Sequence, residues 1–274
     1  MRNFVFLLVL IFGAVGNAAG QESKRILVVV AHPDDEILIA PLISSYTRRG
    51  VLVQLVIATR GDRGDPRAGA SISGEELEQV RAEEARCSAR ALGAEPPLIL
   101  RFLDSDMGQP SQPPWQKLSE VREALAKVLE ETHPDAVITF GPEGAYGHPD
   151  HRLVGSIVTE LIQRGARGTT TRLFYPGFPT DRLAKAPPTG FPFSGTDRRF
   201  LTVQVPYDRM DMDASRKALA CHQSQFPKAQ IGPLASILDQ ILGGKVYLRP
   251  WFGSVSSSDI LKTRAPELHT RGHR

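Results

Sequence analysis

Four short runs of Val, Ile and Leu recur in the first half of the sequence, and each is followed by a stretch with a helical pattern. The runs occupy residues 25–31, 51–59, 98–103 and 136–140. Parallel strands that are covered by helices on both sides read as such continuous apolar runs, and each connection between them needs a crossover helix. The alternation therefore predicts a Rossmann-like α/β fold, with a mostly parallel sheet and helices on both faces.

The second predicted helix has recognisable signals at both ends. Ser73 followed by Glu76 has the spacing of a capping box, and Gly93 is a typical residue after a helix end. The predicted helices of this half cover residues 35–49, 73–92, 114–131 and 149–164.

The sequence after residue 164 has a weaker pattern. Residues 165–200 are dense in Pro and Gly, which indicates a long connection on the surface. Loops of this length are uncommon unless they are functional. A strand over residues 198–205 and helices over 207–222 and 233–242 are expected to complete the fold.

The first twenty residues have the pattern of a secretory signal peptide. Arg2 precedes an apolar run over residues 4–15, and the small residues that follow suit a signal peptidase, so we expect cleavage near Gln21. An uncleaved membrane anchor is the alternative, although the run is short for a membrane span. We therefore expect an exported protein, periplasmic or secreted, in which residues 21–274 form a single domain without stable membrane insertion.

Composition excludes several classes of protein. The chain is 41% hydrophobic and 23% charged, as in ordinary soluble proteins, and its net charge of +3 gives no indication of a nucleic-acid partner. The basic C-terminal tail reads as a solvated segment. Cys87 and Cys221 allow either one disulfide, which an exported location permits, or two buried thiols. The sequence does not indicate an oligomeric state.

Two polar clusters follow predicted strands. AHPDDE, at residues 31–36, ends the first strand, and YGHPDHR, at residues 146–152, follows the fourth. The loops at the carboxyl ends of parallel strands share one edge of the sheet, where ligands bind. We therefore expect the two clusters to meet.

The residue types in these clusters favour a catalytic zinc site. Neutral imidazoles and one carboxylate are the usual ligands of an open zinc site, and His32, His148 and His151 are the histidines available. Spacing alone does not decide between His148 and His151. Asp34 and Asp35 diverge at a helix start, so one is expected to bind the metal and the other to act as a general base.

These motifs resemble those of the PIG-L/LmbE-like zinc-dependent N-acetylglucosaminyl de-N-acetylase family. The resemblance rests on AHPDDE and YGHPDH, and it extends to RAEE at residues 81–84, LDSDMG at 103–108 and KALACHQSQ at 217–225. It implies one Zn²⁺ per chain, bound by His32, Asp35 and His151. It also implies that Asp34 is the general base.

The resemblance assigns further roles around the metal. His148 is implied to stabilise the oxyanion and protonate the leaving amine, with Asp150 orienting or tuning it, and Tyr146 is implied to help polarise the amide carbonyl. Arg81 and Asp104 are implied to hold sugar hydroxyls. We expect His222, in the late motif, to line the substrate site as well.

The resulting expectation is a metal-dependent N-deacetylase that acts on a GlcNAc-type sugar or glycoconjugate and releases acetate and a free amine. Two alternatives are a noncatalytic glycan-binding protein on the same fold and a two-metal phosphoesterase, because carboxylates and histidines also hold two-metal centres. The export signal disfavours the intracellular thiol-cofactor precursors that some family members deacetylate. Candidates for stacking on a sugar ring are Trp115, Trp251, Tyr175 and the Phe-rich loop near Phe178 and Phe191, with core packing as the default reading for each.

Overall fold

The computed structural model describes residues 23–64, 72–110, 113, 115–165, 171–252 and 256–262. The expected signal peptide and most of the basic tail lie outside these described residues. Among the helices that the structure describes, none combines the length and the apolar character needed to cross a membrane.

Nine strands are described, and seven of them form one sheet in the order β3-β2-β1-β4-β5-β9-β8. The strands are β1 (Arg25–Val30), β2 (Leu52–Thr59), β3 (Leu98–Phe102), β4 (Ala136–Ile138), β5 (Arg172–Pro176), β6 (Phe178–Pro179), β7 (Gly195–Thr196), β8 (Val203–Pro206) and β9 (Lys245–Pro250). The first five pair in parallel, whereas β9 runs antiparallel to both β5 and β8. The strands β6 and β7 form a separate two-stranded sheet.

The helices connect these strands as the sequence predicts. They are α1 (Ala40–Arg48), α2 (Gly74–Leu92), α3 (Gln116–Thr132), α4 (Gly144–Gly147), α5 (Pro149–Gln163), α6 (Thr180–Leu183), α7 (Arg209–Leu219) and α8 (Lys228–Leu242), with 3-10 turns at Asp35–Ile39 and Arg198–Phe200. The order of the parallel strands reverses between β3 and β4. Because parallel crossovers are right-handed, α1 and α2 cover one face of the sheet and α3 and α5 the other. The predicted fold class is therefore confirmed.

The core lies on both sides of the central strands. The residues from Ile26 to Val30 in β1 and from Leu55 to Ala58 in β2 are all buried, as expected for strands with helices on both faces. This burial leaves only the strand ends free for chemistry. The two polar clusters therefore emerge where β1 and β4 end, at one edge of the sheet, which is the reversal point that open α/β sheets use for ligands.

The prediction of one long connection over residues 165–200 is wrong. The strand β5 lies within it and joins β4 to the second half of the sheet, and β9, which lies between β5 and β8, was also missed. Both strands end in proline and contain only three consecutive apolar residues, a weaker signal than the longer runs of β1 and β2. Pro176 and Pro250 end their strands, where the missing amide hydrogen matters little.

Two local predictions around α2 can also be compared with the structure. The capping box is wrong, because the Ser73 side chain makes no capping hydrogen bond, although Gly93 does end the helix in the left-handed region at φ 70°. Cys87 of α2 forms a disulfide with Cys221, which follows α7, with 5.8 Å between their Cα atoms. Of the two alternatives for the cysteines, the structure therefore shows the disulfide.

Candidate metal centre and active site

Three side chains from the two polar clusters converge at the edge of the sheet. His32 Nδ1 lies 3.2 Å from His151 Nε2, which lies 3.1 Å from an oxygen of Asp35. The other Asp35 oxygen is 3.6 Å from His32 Nδ1 and accepts the backbone N–H of His32 at 2.7 Å. The sheet topology thus brings together residues that are 119 positions apart in sequence.

The outer nitrogen of each imidazole is already occupied. His151 Nδ1 lies 3.2 Å from the Gly144 carbonyl, which can only accept a hydrogen bond, so this nitrogen carries the hydrogen. His32 Nε2 lies 3.2 Å from a carboxylate oxygen of Asp104 and 3.3 Å from one of Asp150, and donates to them. His32 Nδ1 and His151 Nε2 therefore face each other beside the Asp35 carboxylate. A cation, either a proton or a metal ion, can lie between them.

The spacing of these three side chains fits a tetrahedral zinc site. Zinc–ligand bonds of about 2.0–2.1 Å place two tetrahedral ligands about 3.3 Å apart, and the three separations here are 3.1, 3.2 and 3.6 Å. Donation of the outer imidazole N–H to a carboxylate or carbonyl is also the usual support of a metal ligand. The donor set therefore fits one zinc ion at His32, Asp35 and His151.

His148 is a further nitrogen donor close to this group. Potential ligand atoms of His32, His148 and His151 all lie within 4.8 Å of one another. His148 is the N-cap of α5, and its Nδ1 accepts the backbone N–H of Asp150 at 3.2 Å. Burial lowers the pKa of His148, and the neighbouring His32 and His151 lower it further. The ring is therefore neutral near pH 7, with its hydrogen on Nε2.

Asp34 occupies a strained position beside the metal ligands. Its φ of 132° lies in a region that residues other than glycine rarely adopt. Its carboxylate lies 3.3 Å from the Arg81 guanidinium. Burial raises the pKa of Asp34 to about 6, against the opposing effect of Arg81. Strain of this kind persists only where the surrounding structure holds it, and it is typical of functional sites.

Two predicted residues have contacts that their expected roles do not include. The Asp150 carboxylate accepts from His32 Nε2 and, at 2.7 Å, from the backbone N–H of Ser105. Toward His148, Asp150 acts through its backbone N–H, which donates to the ring, and through its charge, which partly opposes the effect of burial in lowering the pKa of the ring. Asp104 lines the cavity, but its carboxylate also lies against His32. Both acids thus support His32, which sequence spacing alone cannot reveal.

Arg81 and His222 also have protein partners that the sequence did not indicate. Arg81 lines the cavity, but its guanidinium donates to the carbonyls of Pro33 at 2.8 Å and Gly61 at 3.2 Å, so it ties together the loops after β1 and β2. His222 is fully buried and bonds to Glu36 at 2.7 Å, so the prediction that it lines the substrate site is wrong. Sequence reasoning also missed Glu36, whose only signal was its place in AHPDDE.

A cavity of about 420 Å³ opens beside these side chains. Its polar part contains His32, Asp34, Arg81, Asp104 and His148, and the predicted Tyr146 lies between this part and an aromatic wall. The wall belongs to the Pro/Gly-rich segment: the Phe191 ring packs at a tilt against the Tyr146 ring, with 5.5 Å between their centroids, and the Ser194 N–H donates to the Ala145 carbonyl at 2.7 Å. The cavity can therefore hold a molecule with a polar reacting group and a carbohydrate-like body.

Comparison with known proteins agrees with this arrangement. A family model described as PIG-L: GlcNAc-PI de-N-acetylase matches residues 27–162. The chain is 35% identical over 160 residues to a 1D-myo-inositol 2-acetamido-2-deoxy-alpha-D-glucopyranoside deacetylase of Rhodococcus erythropolis, covering 53% of this chain and 54% of the relative. A relative of the same description from Catenulispora acidiphila is 36% identical over 150 residues, covering 48% of this chain and 49% of its own. The chain thus spans about half the length of the curated relatives it matches.

Solved structures share the fold over more of the chain. An N,N'-diacetylchitobiose deacetylase from Pyrococcus horikoshii superposes with a TM-score of 0.65 at 23% identity, covering 84% of each chain. A 4-carboxy-2-hydroxymuconate hydratase from Pseudomonas putida superposes with a TM-score of 0.60 at 17% identity, covering 85% of this chain and 98% of its own. Since a deacetylase and a hydratase share this architecture, the fold alone does not decide the reaction. The family match is more specific, and it identifies a PIG-L family domain in residues 27–162 of the chain.

Proposed function

We propose that the protein is a zinc-dependent hydrolase that removes the N-acetyl group from a GlcNAc-type sugar or glycoconjugate. One observation carries the proposal: the metal-binding atoms of His32, Asp35 and His151 face one another at 3.1 to 3.6 Å, beside a cavity that Asp34 and His148 line. When bound there, a zinc ion polarises a carbonyl and acidifies water. The protein's own residues supply the remaining chemistry.

Asp34 acts as the general base. Its carboxylate lines the cavity, and its pKa of about 6 lets it take a proton from the attacking water near neutral pH. The contact with Arg81 keeps the carboxylate in one orientation. The base therefore acts from a fixed place beside the amide carbon.

His148 acts as the hydrogen donor on the opposite side of the reacting group. Because its Nδ1 accepts the Asp150 N–H, the neutral ring carries its hydrogen on Nε2 and can stabilise the developing oxyanion. The proton that Asp34 takes from the attacking water is then delivered to the leaving nitrogen, which returns Asp34 to its ionised form. The Tyr146 ring, 6.0 Å from the His148 ring, lies beside the same group, where its hydroxyl helps to orient the carbonyl. Acetate and a free amine are the products.

The substrate class follows from two lines of support. The curated relatives are described as deacetylases of an acetamido-deoxy-glucopyranoside, and a structural neighbour is described as a deacetylase of diacetylchitobiose. The cavity combines polar residues at the reacting end with Phe191 and Pro192 at the other, an arrangement suited to one face of a sugar ring. We therefore propose an N-acetylated hexosamine as the core of the substrate.

The alternative of a two-metal phosphoesterase is not favoured. Besides His32, Asp35 and His151, two overlapping groups of possible ligands are found among the described residues: His32 with His148 and His151, and His32 with Asp104 and Asp150. The second, His32 with Asp104 and Asp150, lies at Nε2, on the other side of the imidazole from Nδ1. Two ions held by opposite nitrogens of one ring would lie farther apart than the roughly 3.5–4 Å of two-metal sites.

Acetate release tests the proposal directly. Zinc-replete protein is incubated with a panel of N-acetylated sugars and, separately, with a phosphate monoester. We expect equal amounts of acetate and free amine from at least one GlcNAc-type compound, loss of activity with a chelator, and recovery with zinc. Phosphate release without acetate release, or acetate release that chelation leaves unchanged, would contradict the proposal.

We also propose that the protein acts outside the cytoplasm. The Cys87–Cys221 disulfide supports this location, because such bonds persist in oxidising compartments. Cell fractionation and N-terminal sequencing test it. We expect an exported protein whose first residue lies near Gln21; a cytoplasmic protein with both thiols reduced would contradict it.

A further inference from the structure

Glu36 is a buried acid for which the proposed mechanism has no use. It is the last residue of AHPDDE, and it is fully buried. One of its carboxylate oxygens accepts from the Ser88 hydroxyl and from His222 Nε2. The other accepts the backbone N–H of Asp34 at 3.2 Å. Glu36 thus holds the backbone of the residue that carries the proposed general base.

The backbone of Asp34 needs such support. At φ 132° it adopts a conformation that L side chains rarely take. The hydrogen bond from its N–H to Glu36 and the contact of its carboxylate with Arg81 act on the residue from two directions. If Glu36 moves, the Asp34 peptide can relax, and its carboxylate then leaves its place in the cavity.

The two side chains that hold Glu36 are joined by a covalent bond. Ser88 directly follows Cys87 in α2, and His222 directly follows Cys221, and these cysteines form the disulfide. The pairs lie 134 residues apart in sequence, so the disulfide is the covalent link that keeps them adjacent.

Hydrogen bonds reinforce the same junction one turn earlier in α2. The Glu84 carboxylate accepts the Ser224 N–H at 2.7 Å and the Ser224 hydroxyl at 2.6 Å. The next residue, Gln225, lines the cavity. The segment after α7 is therefore fastened to α2 on both sides of His222, and it reaches the cavity wall.

We propose that the Cys87–Cys221 disulfide, acting through Ser88, His222 and Glu36, positions Asp34 for catalysis. These are positioning residues, because they act through Asp34 and do not line the cavity. The inference rests on the proposed role of Asp34 as general base. It predicts that the thiol–disulfide state of this pair changes the turnover rate and leaves substrate binding and metal content unchanged.

The test compares the folded wild-type protein before and after reduction, together with a Cys87→Ser/Cys221→Ser double variant. We expect kcat to fall by about tenfold to a hundredfold, since small misplacements of a catalytic group have effects of this size. KM and the zinc content should stay the same. Hydrogen exchange of the Asp34 amide should rise at least about tenfold, because its bond to Glu36 opens more often.

A second pair of variants separates positioning from general stability. Ser88→Ala removes one hydrogen bond to Glu36 and leaves the disulfide intact. Ser215→Ala is its matched control, since Ser215 is also a buried helical serine, and its hydroxyl donates to the Asp211 carbonyl, away from Glu36. We expect Ser88→Ala to lower kcat several-fold and raise Asp34 amide exchange, and Ser215→Ala to do neither.

A failure of the positioning inference can be distinguished from a failure of the proposed function. If no substrate is deacetylated by the wild type, the proposed function fails, and amide exchange still tests the positioning. Unchanged kcat and unchanged Asp34 exchange in a folded double variant would overturn the inference. If the double variant does not fold, the same result for Ser88→Ala would overturn it.

Discussion

The two halves of the sheet differ in how they contribute to the site. The parallel half, from β1 to α5, contributes the proposed metal ligands, the base and the hydrogen donor. The second half, from β5 to β9, contributes the aromatic wall and the buried His222 and Ser224, which hold the first half in place. The family model ends at residue 162, close to this boundary. The first half thus contains the proposed reacting groups. The second half contains the aromatic wall that is proposed to contact the substrate and the residues that hold the reacting groups in place.

Replacing Asp34 by asparagine should have the largest effect on catalysis. The amide cannot accept the proton of the attacking water, so kcat should fall by about 10²- to 10⁴-fold. Because Asp34 is not a ligand in this arrangement, the zinc content should remain that of the wild type. Kinetics and elemental analysis of the same preparation check both points. Loss of the zinc would instead place Asp34 among the ligands.

Replacing Arg81 by lysine tests whether this residue holds the loops or the substrate. A lysine cannot reach Pro33, Gly61 and Asp34 together, as the guanidinium does. We expect kcat to fall by about tenfold to a hundredfold with little change in KM. The control is Arg86→Lys on the same helix. Arg86 pairs with the exposed Glu83, so this change should alter neither kcat nor KM. A change in KM alone would restore the substrate role predicted from the sequence.

Phe191→Ala tests the contribution of the second half to substrate binding. Loss of an aromatic contact with a sugar should raise KM by about threefold to tenfold and leave kcat nearly unchanged. Phe200→Ala is the matched control in the same segment, since Phe200 is 55% exposed and does not line the cavity. Equal KM values for the two variants would remove the aromatic wall from the substrate site.

The smallest effect is expected at Asp259, which ties the C-terminal segment to α1. It accepts from Tyr46 at 2.8 Å and from Arg49 at 2.6 Å. Burial alone would raise the pKa of Asp259, but hydrogen bonds from Leu261, Arg49 and Tyr46 outweigh it and lower the pKa. The ionised form therefore stabilises the fold above the unfolded pKa of about 3.9, and this contribution is lost as the pH falls below it.

Denaturation of Asp259→Asn at two pH values measures this contribution. At pH 7 the variant should lose about 1–2 kcal/mol of stability relative to the wild type. At pH 3 the difference should shrink, because the wild-type carboxyl is then increasingly protonated. Turnover at pH 7 should be unchanged. A difference that grows as the pH falls would contradict the assigned direction of the pKa shift.

The sequence predicted the parallel half well because its signals are local. Each strand there contains a short run of Val, Ile and Leu, interrupted only by Gln54 in β2 and Arg101 in β3, and topology alone then brings AHPDDE and YGHPDH to one edge of the sheet. The strands β5 and β9 were missed because their pairing depends on partners far along the chain. The predicted site shows the same limit: the convergence of His32 and His151 followed from topology, whereas the Glu36–His222 bond joins side chains 186 residues apart.

The central claim is that His32, Asp35 and His151 share one ion, and counting bound metal tests it most directly. Protein saturated with zinc and freed of excess metal is analysed beside His151→Ala. The account predicts one zinc per wild-type chain and a loss of binding in the variant that exceeds the roughly 10- to 100-fold cost of removing an outer-shell partner. Two zinc ions per chain, or full retention of zinc by the variant, would contradict it.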